Sequence, residues 1–124
     1  MMLDADGYAT EATTANVLVY SHGAGLLTPP KEKILPGISL ATLERLAADA
    51  GLPLAEQDLQ ARDFSAADEV LLCSTSPCLL PVTRLNGLPV GSGRPGKVFH
   101  HLLEQWSALV GLEIAEQAQK FSRR

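Results

Sequence analysis

A chain of 124 residues with 46% hydrophobic and 19% charged side chains has the composition of one globular domain, and it can bury about two-thirds of its unfolded surface. The formal net charge of −4 argues against nucleic acid and acidic membrane surfaces as partners. No apolar run reaches the length of a membrane span and no signal-peptide core opens the chain, so a soluble, cytoplasmic protein is expected. Cys73 and Cys78 are then reduced thiols, too few to build a structural zinc site, and no metal is expected.

Met1-Met2-Leu3 runs straight into Asp4-Ala5-Asp6-Gly7, a turn composition, and reads as the stump of a strand. Residues 8–10 and 16–20 are expected to be strands, the second rich in β-formers. Ser21-His22-Gly23-Ala24-Gly25 is a turn that returns as a short strand over 26–28, stopped by Pro29-Pro30. Pro36-Gly37 forces a second turn, and Ser39 stands where the N-cap of a helix over 39–50 belongs, with Gly51 ending it. A helix opening after a glycine turn presents unpaired N–H groups and partial positive charge, a seat for phosphate or carboxylate. An ordinary loop-to-helix join is the alternative for that stretch taken alone.

Residues 54–56 read as a short strand, 64–67 as a single helical turn, and the nearly continuous apolar run 69–73 as a buried strand. A hydroxyl-rich loop, Ser74-Thr75-Ser76-Pro77, follows. Strands over 79–85 and 88–90 flank Asn86-Gly87, a strong hairpin signal. The last helix carries Val98, Leu102, Leu103, Trp106, Leu109 and Val110 on one stripe, and residues 113–124 extend it. Two features resemble sites without having the parts. Gly91-Ser92-Gly93-Arg94-Pro95-Gly96-Lys97 has the glycine and lysine spacing of a P-loop, but Val98 replaces the hydroxyl that would hold Mg²⁺. His100 and His101 are adjacent, so they diverge around a helix, one exposed and one half-buried, and cannot chelate as an i,i+4 pair would. His22, in a turn, is expected to be solvated. The sum is an α/β domain, a mixed sheet with two main helices.

Several of these stretches together resemble the class IV aminotransferase family. They are Glu11 followed by hydroxylated residues and Asn16-Val17-Leu18, then Leu27-Thr28-Pro29-Pro30, then Ile34-Leu35-Pro36-Gly37-Ile38-Ser39. The likeness continues through Ala67-Asp68-Glu69-Val70, Ser74-Thr75-Ser76, Pro81-Val82, Asn86-Gly87 and the glycines of 91–96, in order over nearly the whole chain. Its members are pyridoxal 5′-phosphate enzymes, among them branched-chain and D-amino-acid aminotransferases and 4-amino-4-deoxychorismate lyase. The resemblance implies the larger C-terminal domain, spanning residues 1–124, in which a mixed sheet forms an open pseudo-barrel with flanking helices. It implies pyridoxal 5′-phosphate as cofactor, with Glu11 holding the proton on the ring nitrogen. Ile38 and Ser39 match the residues that offer N–H groups, and Ser39 a hydroxyl, to the cofactor phosphate. Thr75 matches a second phosphate ligand, and the Thr75 and Ser76 backbone faces a substrate carboxylate. Serine at 39 replaces a more frequent threonine, and Ser74 and Ser76 depart from the family's usual Gly-Thr-Ala.

The family's Schiff-base lysine lies farther upstream of the glutamate than the ten residues that precede Glu11, and Lys31, Lys33, Lys97 and Lys120 match none of its motif. Each reads as exposed. The chain therefore looks like the C-terminal part of an enzyme, with the small N-terminal domain and the lysine absent, and is expected to be inactive alone. The implied reaction is amino-group transfer between an amino acid and a 2-oxo acid. A lyase acting on aminodeoxychorismate, which Glu11-Ala12-Thr13-Thr14-Ala15-Asn16 slightly favours, is one alternative. A non-catalytic remnant serving as a structural or binding module is the other. Family members are homodimers or larger, so self-association is expected, with the Met1-Met2-Leu3 edge as one participant.

Overall fold

The computed structural model describes residues 1–35, 37–75 and 78–111. In chain order the elements are β1 (Asn16–Ser21), β2 (Gly25–Thr28), α1 (Ile38–Asp49), β3 (Leu54–Glu56), α2 (Ala61–Ala66), β4 (Glu69–Ser74), β5 (Cys78–Val82), β6 (Arg84–Leu85), β7 (Leu88–Pro89) and α3 (Lys97–Val110). The main sheet has the order β3-β2-β1-β4-β5, with β2 and β3 parallel and the other pairs antiparallel. It is the mixed sheet with flanking helices that the sequence leads one to expect. No helix among the described residues is long and apolar enough to cross a membrane.

The centre is the β1–β4 pair, in which Leu18 lies opposite Leu71 and Val19 opposite Val70. Because side chains alternate along a strand, a run such as Asn-Val-Leu-Val-Tyr sends apolar groups to both faces, which must both be covered. Leu18, Leu71, Cys73 and Leu79 meet Leu40, Leu43 and Ala47 of α1 and Phe99, Leu102 and Trp106 of α3. Val17, Val19 and Val70 meet Ala9, Leu59, Phe64 and Val90 on the other face. The outcome is a three-layer arrangement with the sheet in the middle.

Several boundaries differ from the sequence expectation, each for a local reason. Residues 8–10 do not form a strand of the sheet. They close a small hairpin on the N-terminus, where Leu3 bridges Ala9, Met2 N–H donates to Glu11 O at 2.7 Å, and Thr10 N–H donates to Met2 O at 2.9 Å. The start of the chain is thus paired within itself. α1 begins at Ile38 with extended Gly37 as its N-cap, because the Ala41 N–H already reaches Gly37 O at 3.2 Å. Ser39 is therefore inside the first turn and caps nothing. At the other end Gly51, at φ 77°, gives its N–H to Ala48 and Leu52 gives its own to Ala47, the paired closure that a left-handed glycine allows. α2 is longer than one turn because Gln60 and Asp63 form a reciprocal capping box, with Asp63 Oδ2 2.7 Å from the Gln60 N–H.

The run 79–85 breaks at Thr83, so β5 belongs to the main sheet and β6 pairs only with β7. Asn86 at φ 52° and Gly87 at φ 81° make the expected tight turn between them. On α3 the buried apolar residues are Phe99, Leu102 and Trp106, with Val98 and Leu103 half-buried, while Leu109 and Val110 are exposed. Phe99 was absent from the expected stripe. The expected continuation over 113–124 lies outside the described residues, as does Lys120.

The beginning of α3 is held by a carboxylate from the sheet. Glu69, buried in β4, accepts the Val98 N–H on Oε1 at 3.2 Å, and Gly96 leaves it room, since a Cβ there would run into Glu69 Oε1. Glu69 Oε2 is buried with no partner among the described residues. Burial raises the Glu69 carboxyl above its ordinary value of 4.5, against the opposing pull of the Phe99 and Val98 N–H groups and of His100; Asp68 adds to the rise. The folded state then holds this proton more tightly than the unfolded state does. Stability should fall as pH rises from about 4.5 through the raised value and level off above it. Urea unfolding across that range should show this loss in the native protein and not in Glu69→Gln, which has no proton to lose.

Candidate functional site

At one end of the sheet the segment before β1, the turn into α1 and the end of β4 converge on a cleft of about 190 Å³. The N-terminal hairpin delivers Glu11 to it, through the Met2 to Glu11 backbone bond. Glu11 is half-buried, and its Oε2 accepts the Leu35 N–H at 3.2 Å and the Asn16 Nδ2 group at 3.5 Å. Asn16 is 6% exposed and also donates from Nδ2 to Leu35 O at 3.2 Å. The cleft thus has a carboxylate at one side, fixed through one oxygen to the strand that follows it and the turn that leads into α1.

The second wall is the start of α1. Its first turn contains no acidic residue and no side chain caps it, so the partial positive charge of the helix end meets no internal anion. Ser39 lines the cleft; the Ile38 side chain is 85% exposed and does not, so its backbone N–H is what it has to offer. Thr75, in the turn that follows β4, lines the third side. The fold thus brings Glu11, Ser39 and Thr75 around one cavity, although they are far apart in sequence. Ser76, also expected at the site, lies outside the described residues. Asn16 was not singled out from the sequence, yet it touches both Glu11 and the turn into α1. The signal was an asparagine, a poor strand former, heading the strongest β-run in the chain.

The two long helices have N-termini of opposite character. The glycine-rich stretch that mimics a P-loop leads into α3, whose first turn is already occupied by Glu69. A phosphate there would have to displace a buried carboxylate. The seat at α1 has no such occupant. Other candidates also resolve. His100 and His101 are both exposed, contrary to the expectation that one is half-buried, and among the described residues no three His, Cys, Asp or Glu side chains group as metal ligands. His22 is exposed and bonds Tyr20 Oη through Nδ1 at 3.1 Å.

Lys31 is exposed and pairs with Glu44 at 2.7 Å, and Lys97 is exposed. Lys33 is half-buried rather than exposed, because it holds Asp58 at 2.8 Å and Asp4 at 3.1 Å and lies over the Tyr8 ring. None of these three lysines lines the cleft.

Residues 1–85 match the family model described as amino-transferase class IV. The chain belongs to the class IV aminotransferase family. It is 33% identical over 109 residues to the branched-chain-amino-acid aminotransferase-like protein 1 of Arabidopsis thaliana, covering 88% of this chain and 20% of that one. The branched-chain amino acid aminotransferase of Escherichia coli superposes with a TM-score of 0.80 at 34% identity, over 90% of this chain and 37% of that one. A further branched-chain amino acid aminotransferase, solved with pyridoxamine 5′-phosphate, superposes with a TM-score of 0.82 at 27% identity, over 90% and 37% of the two chains. The chain therefore spans between a fifth and two-fifths of the length of these relatives.

Cys73 is a wall of the same cleft, and burial pushes its thiol up to about 12, with Cys78 adding a smaller contribution. Burial raises the Cys78 thiol as well. Neither thiol is an activated nucleophile. With a thiol-exchange reagent at neutral pH the native protein should release almost no Cys73 signal, and both cysteines should react within the mixing time once urea unfolds it.

Proposed function

We propose that this chain is the cofactor-binding domain of a pyridoxal 5′-phosphate-dependent aminotransferase that moves an amino group between an amino acid and a 2-oxo acid. The observation that carries the reading is the uncapped start of α1, facing a cleft that is also lined by the half-buried carboxylate of Glu11. A phosphorylated pyridine needs an anion seat at one end and a carboxylate at the other, and the donor set fits it. Gly37 adds to the fit: a Cβ at that position would lie 2.6 Å from Asn16 Oδ1, so the close approach of the turn to the strand depends on a missing side chain.

When bound, pyridoxal phosphate supplies an electron sink for the bond made labile beside an amino-acid nitrogen. In this reading Glu11 holds a proton at the ring nitrogen, which deepens that sink. The N–H groups of Ile38 and Ser39 and the Ser39 hydroxyl bind the phosphate at the positive end of α1. The Thr75 hydroxyl binds it from the β4 side, and the Thr75 and Ser76 backbone orients the substrate carboxylate. No described lysine lines the cleft, so the residue that would bond the cofactor covalently is assigned to another part of the enzyme. Residues 1–124 are in this view the larger C-terminal domain, and by themselves they hold the cofactor weakly and do not turn over.

The two solved relatives named above are branched-chain amino acid aminotransferases, which favours amino transfer over the lyase alternative and makes branched aliphatic amino acids the first substrates to try. Assembly into a homodimer in the cytoplasm belongs to the same proposal. The exposed apolar side chains of Leu35, at 72%, and Ile38, at 85%, beside the cleft are surface for another domain or subunit to cover.

Two substitutions in the complete enzyme separate the roles. Glu11→Gln removes the charge that favours a protonated ring nitrogen while keeping the side chain's size. Turnover should fall by about 100-fold or more, each tenfold being about 1.4 kcal/mol of barrier, and should not be restored by saturating cofactor. Thr75→Ala should instead weaken cofactor binding by roughly 1.5–3 kcal/mol, the range for a hydrogen bond to a charged group, and recover most of its turnover at saturation. Unchanged turnover in Glu11→Gln would remove Glu11 from the ring nitrogen and the reading with it.

A further inference from the structure

We propose that Asn16 is a positioning residue for both ends of this site: one buried amide fixes the Glu11 carboxylate and the turn that opens α1. The inference rests on the cofactor-domain reading above and extends it to a residue outside the expected contact set.

Asn16 heads β1 and is paired in register with Cys73 of β4, so its backbone belongs to the central strand pair of the sheet. Its side chain is buried at the floor of the cleft, where an amide must find partners or be strongly destabilising. The partners lie on the two walls that matter. Nδ2 donates to Leu35 O at 3.2 Å, in the turn, and to Glu11 Oε2 at 3.5 Å, on the segment before β1. The Leu35 N–H donates to the same Glu11 oxygen at 3.2 Å, which closes a three-membered ring of contacts. The ring engages Oε2, and no hydrogen bond from another described residue engages Oε1, which leaves that oxygen to accept from a ligand. Two residues beyond Leu35, Gly37 has no side chain, and a Cβ there would press on Asn16 Oδ1 at 2.6 Å. Asn16 therefore sets the distance between the strand and the start of α1 through its oxygen side, and the Glu11 carboxylate through its nitrogen side.

A merely structural asparagine would alter stability without changing how the cleft discriminates its ligands. A positioning asparagine predicts a specific pattern with two probes, inorganic phosphate and pyridoxamine 5′-phosphate, titrated into the 124-residue chain by calorimetry. The wild-type chain should prefer pyridoxamine 5′-phosphate, and Glu11→Gln should remove most of that preference while leaving phosphate affinity unchanged. Asn16→Ala should remove the preference to the same extent and also weaken phosphate by about tenfold, or about 1.4 kcal/mol, because the start of α1 is no longer held in place. The double variant should show no further loss of preference, because the second change acts through the first. In the ligand-free chain, hydrogen exchange at the Leu35 amide should accelerate in Asn16→Ala.

Gly37→Ala keeps every contacting side chain and its φ of −75° suits alanine, so it serves if Asn16→Ala fails to fold. It should reproduce the loss of preference by pushing Asn16 aside. Full preference retained in Asn16→Ala or Gly37→Ala, while Glu11→Gln loses it, would overturn the positioning role and leave the cofactor reading standing. A wild-type chain with no preference between the two probes would overturn the cofactor reading, and this inference with it.

Discussion

Everything at the candidate site depends on where α1 begins. A helix that opens without a capping side chain leaves N–H groups unpaired, a cost that solvent or a ligand must offset. In this chain the uncapped end is not fraying into bulk water. It faces a cleft between strand ends, and Gly37 lies so close to Asn16 that a Cβ there would have to push the Asn16 side chain aside. The backbone at Leu35 is tied on both its N–H and its C=O, to Glu11 and Asn16 respectively. The turn is held in place by polar groups in the cleft floor, and the helix start inherits that position.

The contrast with α3 shows why this arrangement points to a ligand. Both helices follow glycine-containing turns and both have glycine N-caps. At α3 the sheet supplies Glu69 to the first turn, at the cost of burying a carboxylate whose second oxygen has no partner among the described residues. At α1 the sheet supplies no anion to the first turn; Glu11 gives its Oε2 to the Leu35 N–H and Asn16 and lies at the side of the cleft. One fold thus contains a self-satisfied helix end and an unsatisfied one, and the unsatisfied end is where the family resemblance places a phosphate.

Much of the fold was legible because its signals are local. The apolar runs of β1 and β4, Asn86-Gly87, and Gly51 closing α1 each carry their own physical reason and each stands where it was expected. The misses came from competition between local and distant partners. Residues 8–10 have strand composition, but their neighbours on the chain offer a hairpin instead of a place in the sheet. Ser39 has the chemistry of an N-cap, yet Gly37 takes the extended conformation first and moves the N-cap two residues upstream. On α3 the expected stripe ran on to Leu109 and Val110, which are exposed, and omitted Phe99, although 99, 102, 103 and 106 stand at the i, i+3, i+4, i+7 spacing of one helix face. At the site, residue types identified Glu11, Ser39 and Thr75 as a set only through resemblance. Their convergence on one cavity, and the bridging place of Asn16, required the three-dimensional arrangement.

The central claim is that the α1 end of the cleft, and not the glycine-rich α3 end, is the anion seat of a cofactor site. Amide chemical-shift mapping of the isotope-labelled chain during titration with pyridoxamine 5′-phosphate tests this most directly. The account predicts the largest shifts at Ile38, Ser39 and Thr75, with Leu35 following through Glu11, and none at Lys97 or Val98. Shifts centred on 96–98, or spread over the surface with no focus at the start of α1, would contradict it.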